Sequence, residues 1–177
     1  LDNVFELLNI SGQPAPLAKL MLVPDAWSKK SKVLSKDHQQ LFNFLNSTME
    51  PWDGPAAIAG TDNEWVIAAN DRNGLRPLRY TITKDKFLFA GSETGMIKLN
   101  EKKILAKGRL GPGEIIGVRI EKGKLFTNEK IKNYLAKEYK HFNNQIIDLD
   151  KKITVSNEKA LFKGSDLKKR QHAFGIS

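Results

Sequence analysis

Apolar residues in the N-terminal third of the chain recur with the spacing of α-helices. The first stretch, residues 1–8, has five apolar residues on one helical face: Leu1, Val4, Phe5, Leu7 and Leu8. A second stretch, residues 16–23, begins with proline, which suits the first turn of a helix, and ends before Pro24. Ser35 precedes a third stretch, whose apolar side carries Leu41, Phe42 and Leu45. The pattern predicts three short helices before Pro51.

From Trp52 onward the apolar residues fall into short β-rich runs bounded by turn residues. Successive runs occupy residues 55–60, 63–70, 77–83 and 86–92. These runs predict a meander of at least four antiparallel strands. Residues 103–105 and 114–120 add two further predicted strands. Helices flanking an antiparallel sheet place the chain in the α+β class.

The C-terminal part of the chain predicts a helix, a linker and a second helix. Thr127 is predicted to cap a helix, whose apolar stripe consists of Ile131, Tyr134 and Leu135. Residues 141–166 are polar with scattered apolar positions, which predicts an extended linker. Residues 166–175 form a short helical pattern. We therefore divide the chain into a domain over residues 1–140 and a following segment over residues 141–177.

Composition excludes several kinds of chemistry. The sequence contains no cysteine, so disulfides, thiolate catalysis and cysteine-ligated metal centres are excluded within it. No apolar stretch approaches the roughly 18 residues of a membrane span. The net charge is +9, with 13 of the 29 Lys and Arg in residues 121–177. Because these basic residues alternate with acidic ones and lack interleaved aromatic residues, a solvated or partner-docking face is favoured over nucleic-acid binding.

The stretch NDRNGLRPLRY, residues 70–80, has two interpretations. Asn73 and Gly74 tolerate positive φ, so the pair predicts a tight hairpin turn between two strands. The surrounding arginines, however, carry planar charged groups suited to carboxylates, and Asp71 is expected to pair with one of them. We favour the hairpin on local chemistry and keep the binding interpretation open.

Three other features are candidate sites. GSETGM, residues 91–96, is either a turn closing the sheet, with Glu93 paired to an arginine, or a carboxylate beside an active site. GRLGPGE, residues 108–114, lacks the Gly-Lys-Ser/Thr ending of a phosphate-binding loop and is interpreted as a shaped loop. The histidines share no metal-ligand spacing, so no metal site is predicted from His38, His141 and His172.

Several blocks in order together resemble one family. The chain is similar to the large chains of the glutamate synthase family at residues 1–8, 21–27, 49–58, 71–80, 91–96 and 107–114. Residues 169–175, KRQHAFG, resemble the stretch that leads into the central domain of that family. The resemblance implies that residues 1–140 are the C-terminal part of a class II glutamine amidotransferase domain, and that residues 141–177 are a linker and the start of the central domain.

The resemblance also implies a fold and an activity. The fold is the N-terminal-nucleophile αββα sandwich, of which this chain would form a part. In the family, a cysteine releases ammonia from glutamine. The ammonia then converts 2-oxoglutarate to glutamate on an FMN-containing barrel, to which an iron–sulfur cluster delivers electrons. Implied partners are the remainder of the large chain, a small electron-donating subunit and the substrate glutamine; a cytoplasmic location without nucleic acid or membrane is expected.

This sequence departs from the family pattern because it has no cysteine. The family's glutamine-binding arginine, oxyanion-hole Asn-Gly and ammonium-binding aspartate lie upstream of the block matching Leu1, so Asn73-Gly74 is not that oxyanion hole. We therefore expect a fragment that is inactive alone, with no catalytic, cofactor-binding or metal-binding residue. By resemblance, the residues supporting the pocket wall are Asp71, Arg72, Asn73, Gly74, Arg76, Ser92 and Glu93. Sheet stabilisation alone is the alternative role.

The sequence also allows two other functions. A stand-alone, non-catalytic interaction module of the same fold would keep the docking surface without the chemistry. A nucleic-acid-binding protein is suggested by the net charge alone and ranks last.

Overall fold

A computed structural model of the chain describes residues 1–25, 35–140 and 162–175. The chain divides into two compact units, residues 1–146 and residues 147–177. No helix in the described ranges is long and apolar enough to cross a membrane.

The predicted helices of the first unit are confirmed. They are α1 (Asp2–Ile10), α2 (Ala15–Leu22), α3 (Lys36–Thr48) and α4 (Asn128–Glu138). Ser35 caps α3, since its hydroxyl accepts a hydrogen bond from the His38 N–H at 3.3 Å. The predicted apolar face of α1 is wrong at Leu1 and Leu7, which are 38% and 63% exposed, whereas Leu8 is buried.

The strands have the expected positions but different neighbours. They are β1 (Ala57–Thr61), β2 (Trp65–Asn70), β3 (Leu78–Thr83), β4 (Leu88–Gly91), β5 (Ile104–Leu110), β6 (Ile115–Arg119) and β7 (Lys124–Phe126), with a 3-10 turn over Glu101–Lys103. All described pairs are antiparallel. They form a four-stranded sheet in the order β1-β2-β6-β7 and a three-stranded sheet in the order β4-β3-β5.

The predicted continuous meander is therefore wrong. β1 and β6 occupy both edges of β2, so β3 has no free edge of β2 to pair with and belongs to the other sheet. The chain crosses from one sheet to the other between β2 and β3, and crosses back between β5 and β6. A strand's period-two pattern identifies its buried face but not its neighbours, which is why the sequence favoured the hairpin.

Alternate residues of β2 face two different cores. Trp65, Ile67 and Ala69 belong to the larger core, with buried residues of the helices. Ala68 belongs to a smaller core with Ile116, Leu78 and Leu110, residues contributed by both sheets. The four-stranded sheet thus has the helices on one face and the three-stranded sheet on the other, and the α+β class is confirmed.

The start of α2 is held by a residue distant in sequence. Pro14 occupies the N-cap position and offers no side-chain acceptor. Instead, the Asp62 carboxylate, from the turn between β1 and β2, accepts the Ala15 N–H at 2.5 Å. The same carboxylate accepts the N–H groups of Glu64 and Trp65 at its own turn. One aspartate therefore fixes the β1–β2 turn and the helix that packs over it.

The second unit contains α5 (Gly164–Ala173), which begins two residues before the predicted position. Asp166 and Arg170 form an ion pair at 3.4 Å, and the Arg170 guanidinium lies 3.9 Å from the centroid of the Phe162 ring. Most of the predicted linker, residues 141–161, lies outside the described residues.

Replacement of Trp65 should strongly destabilise the first unit. Trp65 is 1% exposed, and its ring packs edge-on against Phe126 with centroids 4.9 Å apart. We expect Trp65→Ala to lower the free energy of unfolding by about 3 to 5 kcal/mol, because the lost contacts leave a cavity. Trp52→Ala is the matched control, since Trp52 is 37% exposed. Urea denaturation of the purified chain measures both; equal effects would contradict the assigned core.

Candidate functional site

The two connections that cross between the sheets meet at one place. The β2–β3 connection comprises residues 71–77, and the β5–β6 connection comprises residues 111–114. The Gly113 N–H donates to the Asp71 carbonyl at 2.8 Å, and the Asn70 N–H donates to the Glu114 carbonyl at 2.9 Å. The Asn70 side-chain amide donates to the Leu110 carbonyl at 3.2 Å. We call this meeting point, residues 70–77 and 110–114, the crossover junction.

The Asp71 carboxylate organises the β2–β3 connection. Asp71 is 1% exposed. Its Oδ2 accepts the N–H groups of Asn73 at 3.2 Å and Leu75 at 2.9 Å. Its Oδ1 accepts those of Arg76 at 3.1 Å and Ala56 at 3.4 Å. The expected pairing of Asp71 with an arginine side chain is wrong, because backbone N–H groups occupy both carboxylate oxygens.

These hydrogen bonds set the charge state of Asp71. Burial by itself raises the pKa of a carboxyl group, because it disfavours the ionised form. Here the hydrogen bonds from the N–H groups of Leu75, Arg76, Ala56 and Asn73 favour the ionised form and outweigh burial, so the pKa of Asp71 lies below its ordinary value. Asp71 is therefore a carboxylate at neutral pH and acts as an acceptor.

Two glycines allow the connections to approach each other. Gly74 has φ +66°, and a Cβ there would lie 2.9 Å from Pro112 Cγ. Gly113 has φ +67°, and a Cβ there would lie 2.8 Å from Asp25 Oδ1. Positive φ at Gly74 agrees with the predicted turn chemistry of Asn73-Gly74. The turn nevertheless serves a crossing between sheets, so the predicted hairpin is wrong.

The remaining predicted side chains of this loop lie toward its surface. Arg72 is half-buried and Arg76 is exposed. The Asn73 side-chain amide donates to Asp53 Oδ1 at 3.0 Å. The structure thus brings together in one junction the predicted site residues Asp71, Arg72, Asn73, Gly74 and Arg76. Backbone N–H groups occupy both oxygens of Asp71, and in the described part of the chain it forms no ion pair with Arg72 or Arg76.

Ser92 and Glu93 lie elsewhere, in the turn after β4. Glu93 is exposed and lines a shallow groove that also contains Arg79 and Met96. The Ser92 hydroxyl lies 4.0 Å from the Met96 sulfur. Within the described part of the chain, neither side chain is hydrogen-bonded to the crossover junction. Their assignment to the pocket wall stays a prediction.

Sequence reasoning missed a cluster of buried charges behind the junction. Lys19 of α2 and Lys132 of α4 are 1% and 2% exposed. Lys19 Nζ donates to the Gly113 carbonyl at 2.8 Å, and Lys132 Nζ contacts Asp25 Oδ2 at 2.5 Å. The available signal was a lysine inside the otherwise apolar helix APLAKLML. An amphipathic pattern treats such a lysine as a surface residue, so its burial could not be inferred.

Burial lowers the pKa of Lys19 from 10.5 to about 7. Asp25 opposes this change because its negative charge favours the ammonium form, whereas Lys132 adds to the change by repulsion. The negative charge of Asp71 also raises the pKa of Lys19, with the smallest effect of the four. Lys19 is therefore poised to change its charge near neutral pH.

Across the described ranges no group of three or more His, Asp or Glu side chains is positioned to hold a metal ion. His38 is 5% exposed, and its Nε2 lies 2.9 Å from Asn133 Oδ1, as expected for a satisfied histidine. His172 is exposed, and His141 lies outside the described residues. Because the sequence has no cysteine, it supplies none of the thiolates that iron–sulfur clusters require.

Comparison with known proteins identifies similar chains. Residues 1–144 match the family model of the class II glutamine amidotransferases. Over its whole length, the chain is 43% identical to the NADPH glutamate synthase large chain of Azospirillum brasilense and 37% identical to that of Bacillus subtilis. It is 35% identical to the chloroplastic ferredoxin-dependent glutamate synthase 2 of Arabidopsis thaliana. The chain spans 11 to 12% of the length of these relatives.

Replacing the Asp71 carboxylate should destabilise the chain and remove an acid-sensitive contribution. We expect Asp71→Asn to lower the free energy of unfolding by about 2 to 3 kcal/mol at pH 7, since an amide NH2 would face backbone donors. Because the folded-state pKa is depressed, the wild-type contribution is complete above the unfolded pKa of 3.8 and is lost as the pH falls through the folded pKa. Urea denaturation between pH 2 and 7 measures both effects.

Asp85→Asn is the control for Asp71→Asn. Asp85 pairs with Lys103 at 3.0 Å, with both side chains at least half exposed, so its loss should cost less than about 1 kcal/mol. Equal destabilisation by the two variants would contradict the role of Asp71.

Lys19 should make stability rise with pH above neutrality. Below its folded pKa of about 7, Lys19 is charged in both states, and the cost of burying the charge is fully present. Between about 7 and 10.5 the unfolded chain binds more protons than the folded chain, so the free energy of unfolding increases with pH. We expect Lys19→Met to abolish this increase. Lys122→Met, at an exposed turn, should retain it; a slope unchanged in Lys19→Met would refute the assignment.

Proposed function

The chain belongs to the class II glutamine amidotransferase family, and on that premise we propose that it forms part of the wall of a glutaminase pocket in a glutamate synthase. The crossover junction carries the proposal. It fixes a loop bearing two arginines at the point where the chain passes between the sheets, and it lies within the residues that match the family. The similarity to glutamate synthases over the whole chain supports the assignment.

The proposed reaction is hydrolysis of the glutamine side-chain amide. A cysteine thiolate attacks the amide carbon, the C–N bond breaks, and ammonia leaves with a proton supplied in the site. Water then cleaves the thioester, which releases glutamate and restores the thiol. Since this sequence contains no cysteine, the nucleophile has to come from residues outside it. By itself the chain is proposed to be inactive.

The chain's own residues are proposed to hold the pocket in shape. Asp71 fixes the backbone of the β2–β3 connection, and Asn73-Gly74 provides its turn. Arg72 and Arg76 then present positive charge from a fixed backbone, which suits a substrate carrying a carboxylate. Ser92 and Glu93 are proposed to support a neighbouring part of the wall.

The remainder of the enzyme supplies the chemistry that follows. We propose that the ammonia converts 2-oxoglutarate to glutamate in other parts of the large chain, where FMN and an iron–sulfur cluster provide the redox chemistry. None of this chain's residues is assigned to either group. The small electron-donating subunit is a further proposed partner, and a cytoplasmic location belongs to the same proposal.

Thiol labelling tests the proposed function. The natural protein containing these residues should release ammonia from glutamine, and alkylation with iodoacetamide should abolish that release. Mass spectrometry should locate the label outside the 177 residues, because they contain no cysteine. Ammonia release that survives complete alkylation would refute a cysteine-dependent glutaminase. A natural protein that binds a synthase barrel without releasing ammonia would instead favour the non-catalytic module.

Arg76 provides a test of the pocket wall. Its side chain is exposed, so Arg76→Ala should change the free energy of unfolding by less than about 0.5 kcal/mol. If the guanidinium helps to attract the glutamine carboxylate, kcat/KM for glutamine hydrolysis by the natural protein should fall about tenfold. Steady-state ammonia release and urea denaturation measure the two quantities.

Lys122→Ala is the charge control for Arg76→Ala. It removes one positive charge at an exposed turn between β6 and β7, and glutamine hydrolysis should not change. Lowered stability of Arg76→Ala with unaltered glutamine hydrolysis would show that Arg76 only stabilises the sheet connection.

A further inference from the structure

Lys19 combines deep burial with a specific backbone contact. It lies in the last turn of α2, a helix whose described residues are all buried. A charged amine at such a position costs free energy, and one hydrogen bond to a neutral carbonyl does not restore what water would have provided. Lys19 therefore contributes less to the free energy of unfolding than an apolar residue of similar length would. What distinguishes it from such a residue is its contact with Gly113.

That contact begins a chain of hydrogen bonds that reaches the β2–β3 connection. Lys19 Nζ donates to the Gly113 carbonyl at 2.8 Å. The N–H of the same Gly113 donates to the Asp71 carbonyl at 2.8 Å. The Asp71 carboxylate in turn accepts the N–H groups of Leu75 and Arg76. The helical layer is thereby connected to the loop that carries Arg76.

Asp25 confines the same glycine from another side. A Cβ at Gly113 would lie 2.8 Å from Asp25 Oδ1, so this backbone and the carboxylate are in close contact. Asp25 is itself held by Lys132 of α4. Gly113 is therefore positioned by a hydrogen bond from α2 and by a contact braced from α4. Both act on the β5–β6 connection rather than directly on the arginine-bearing loop.

We propose that Lys19 is a positioning residue that sets the Asp71–Arg76 loop through the backbone of Gly113. The link from Lys19 to the loop is a structural inference that does not require catalysis. An effect of Lys19 on glutamine binding, however, rests on the proposed function, in which this loop is part of the pocket wall. Without the lysine, the Gly113 carbonyl loses its donor and the β5–β6 connection can move away from Asp71.

Hydrogen exchange in the natural protein tests the link. In Lys19→Met, peptides covering residues 71–77 should exchange at least about tenfold faster, since their amides depend on the position of Asp71. Peptides covering residues 65–70 should change much less, because β2 is paired on both edges. In Gly113→Ala the added Cβ would press against Asp25 and shift the backbone of this residue. This variant should accelerate exchange in the same peptides.

Leu20→Ala is the matched control. Leu20 is buried in the same helix but has no polar group to offer Gly113, so its replacement should accelerate exchange evenly through the unit. Exchange over residues 71–77 that is unaltered in Lys19→Met, or accelerated in the even pattern of Leu20→Ala, would overturn the proposal. If Lys19→Met does not fold, Gly113→Ala is used in its place. Faster exchange confined to residues 71–77 would support the proposal, and unaltered or evenly accelerated exchange would overturn it.

Glutamine kinetics separate this proposal from the proposed function. A displaced pocket wall should raise KM for glutamine about tenfold in Lys19→Met with kcat within about twofold of wild type. Leu20→Ala, compared at a temperature where it is fully folded, should not reproduce this split. An absence of glutaminase in the wild-type natural protein refutes the proposed function, and the exchange pattern then decides the role of Lys19. Normal KM together with wild-type exchange refutes the role of Lys19 alone.

Discussion

The architecture depends on one buried carboxylate that receives backbone hydrogen bonds. Where the chain leaves β2 for the other sheet, its peptide N–H groups lose the strand partners that would satisfy them. Buried N–H groups without acceptors are costly, so a crossing between packed sheets needs an acceptor at the point of departure. Asp71 supplies it by accepting from Asn73, Leu75 and Arg76, and it also accepts from Ala56 next to β1. The crossing loop and the sheet edge are fixed together.

Burial disfavours the charged form of both Asp71 and Lys19, but the two residues respond differently. The Asp71 carboxylate is surrounded by N–H donors, so its ionised form is favoured despite burial. Burial lowers the pKa of Lys19 toward neutrality despite its hydrogen bond to the Gly113 carbonyl, and repulsion by the positive charge of Lys132 lowers this pKa further. The hydrogen bonds from four N–H groups outweigh burial at Asp71, whereas burial is the largest effect on the pKa of Lys19. Asp71 can therefore anchor the fold over a wide pH range, whereas Lys19 changes its charge near neutral pH.

The sequence predicted the elements better than their arrangement. Helices α1 to α4 and the β-rich runs follow from local periodicity, which depends on residues close together in the chain. Strand partners depend on distant residues, so Asn73-Gly74 predicted a turn correctly but the wrong connection. The same limit applies to the site. Clustering Asp71 with Arg76 was predictable from adjacency, but the backbone acceptor role of Asp71 and the burial of Lys19 require the packed helices and the distant Gly113.

The separation of roles within the β2–β3 connection shows how a loop can be both rigid and charged. An arginine paired with a neighbouring aspartate would hold the loop but would be neutralised toward a ligand. Here the backbone N–H of Arg76 binds Asp71 while its side chain is exposed, so the same residue is anchored and still presents its charge. Fixing a loop through its backbone therefore leaves its side chains for recognition. For a substrate with a carboxylate, that arrangement reduces the ordering required of the protein on binding.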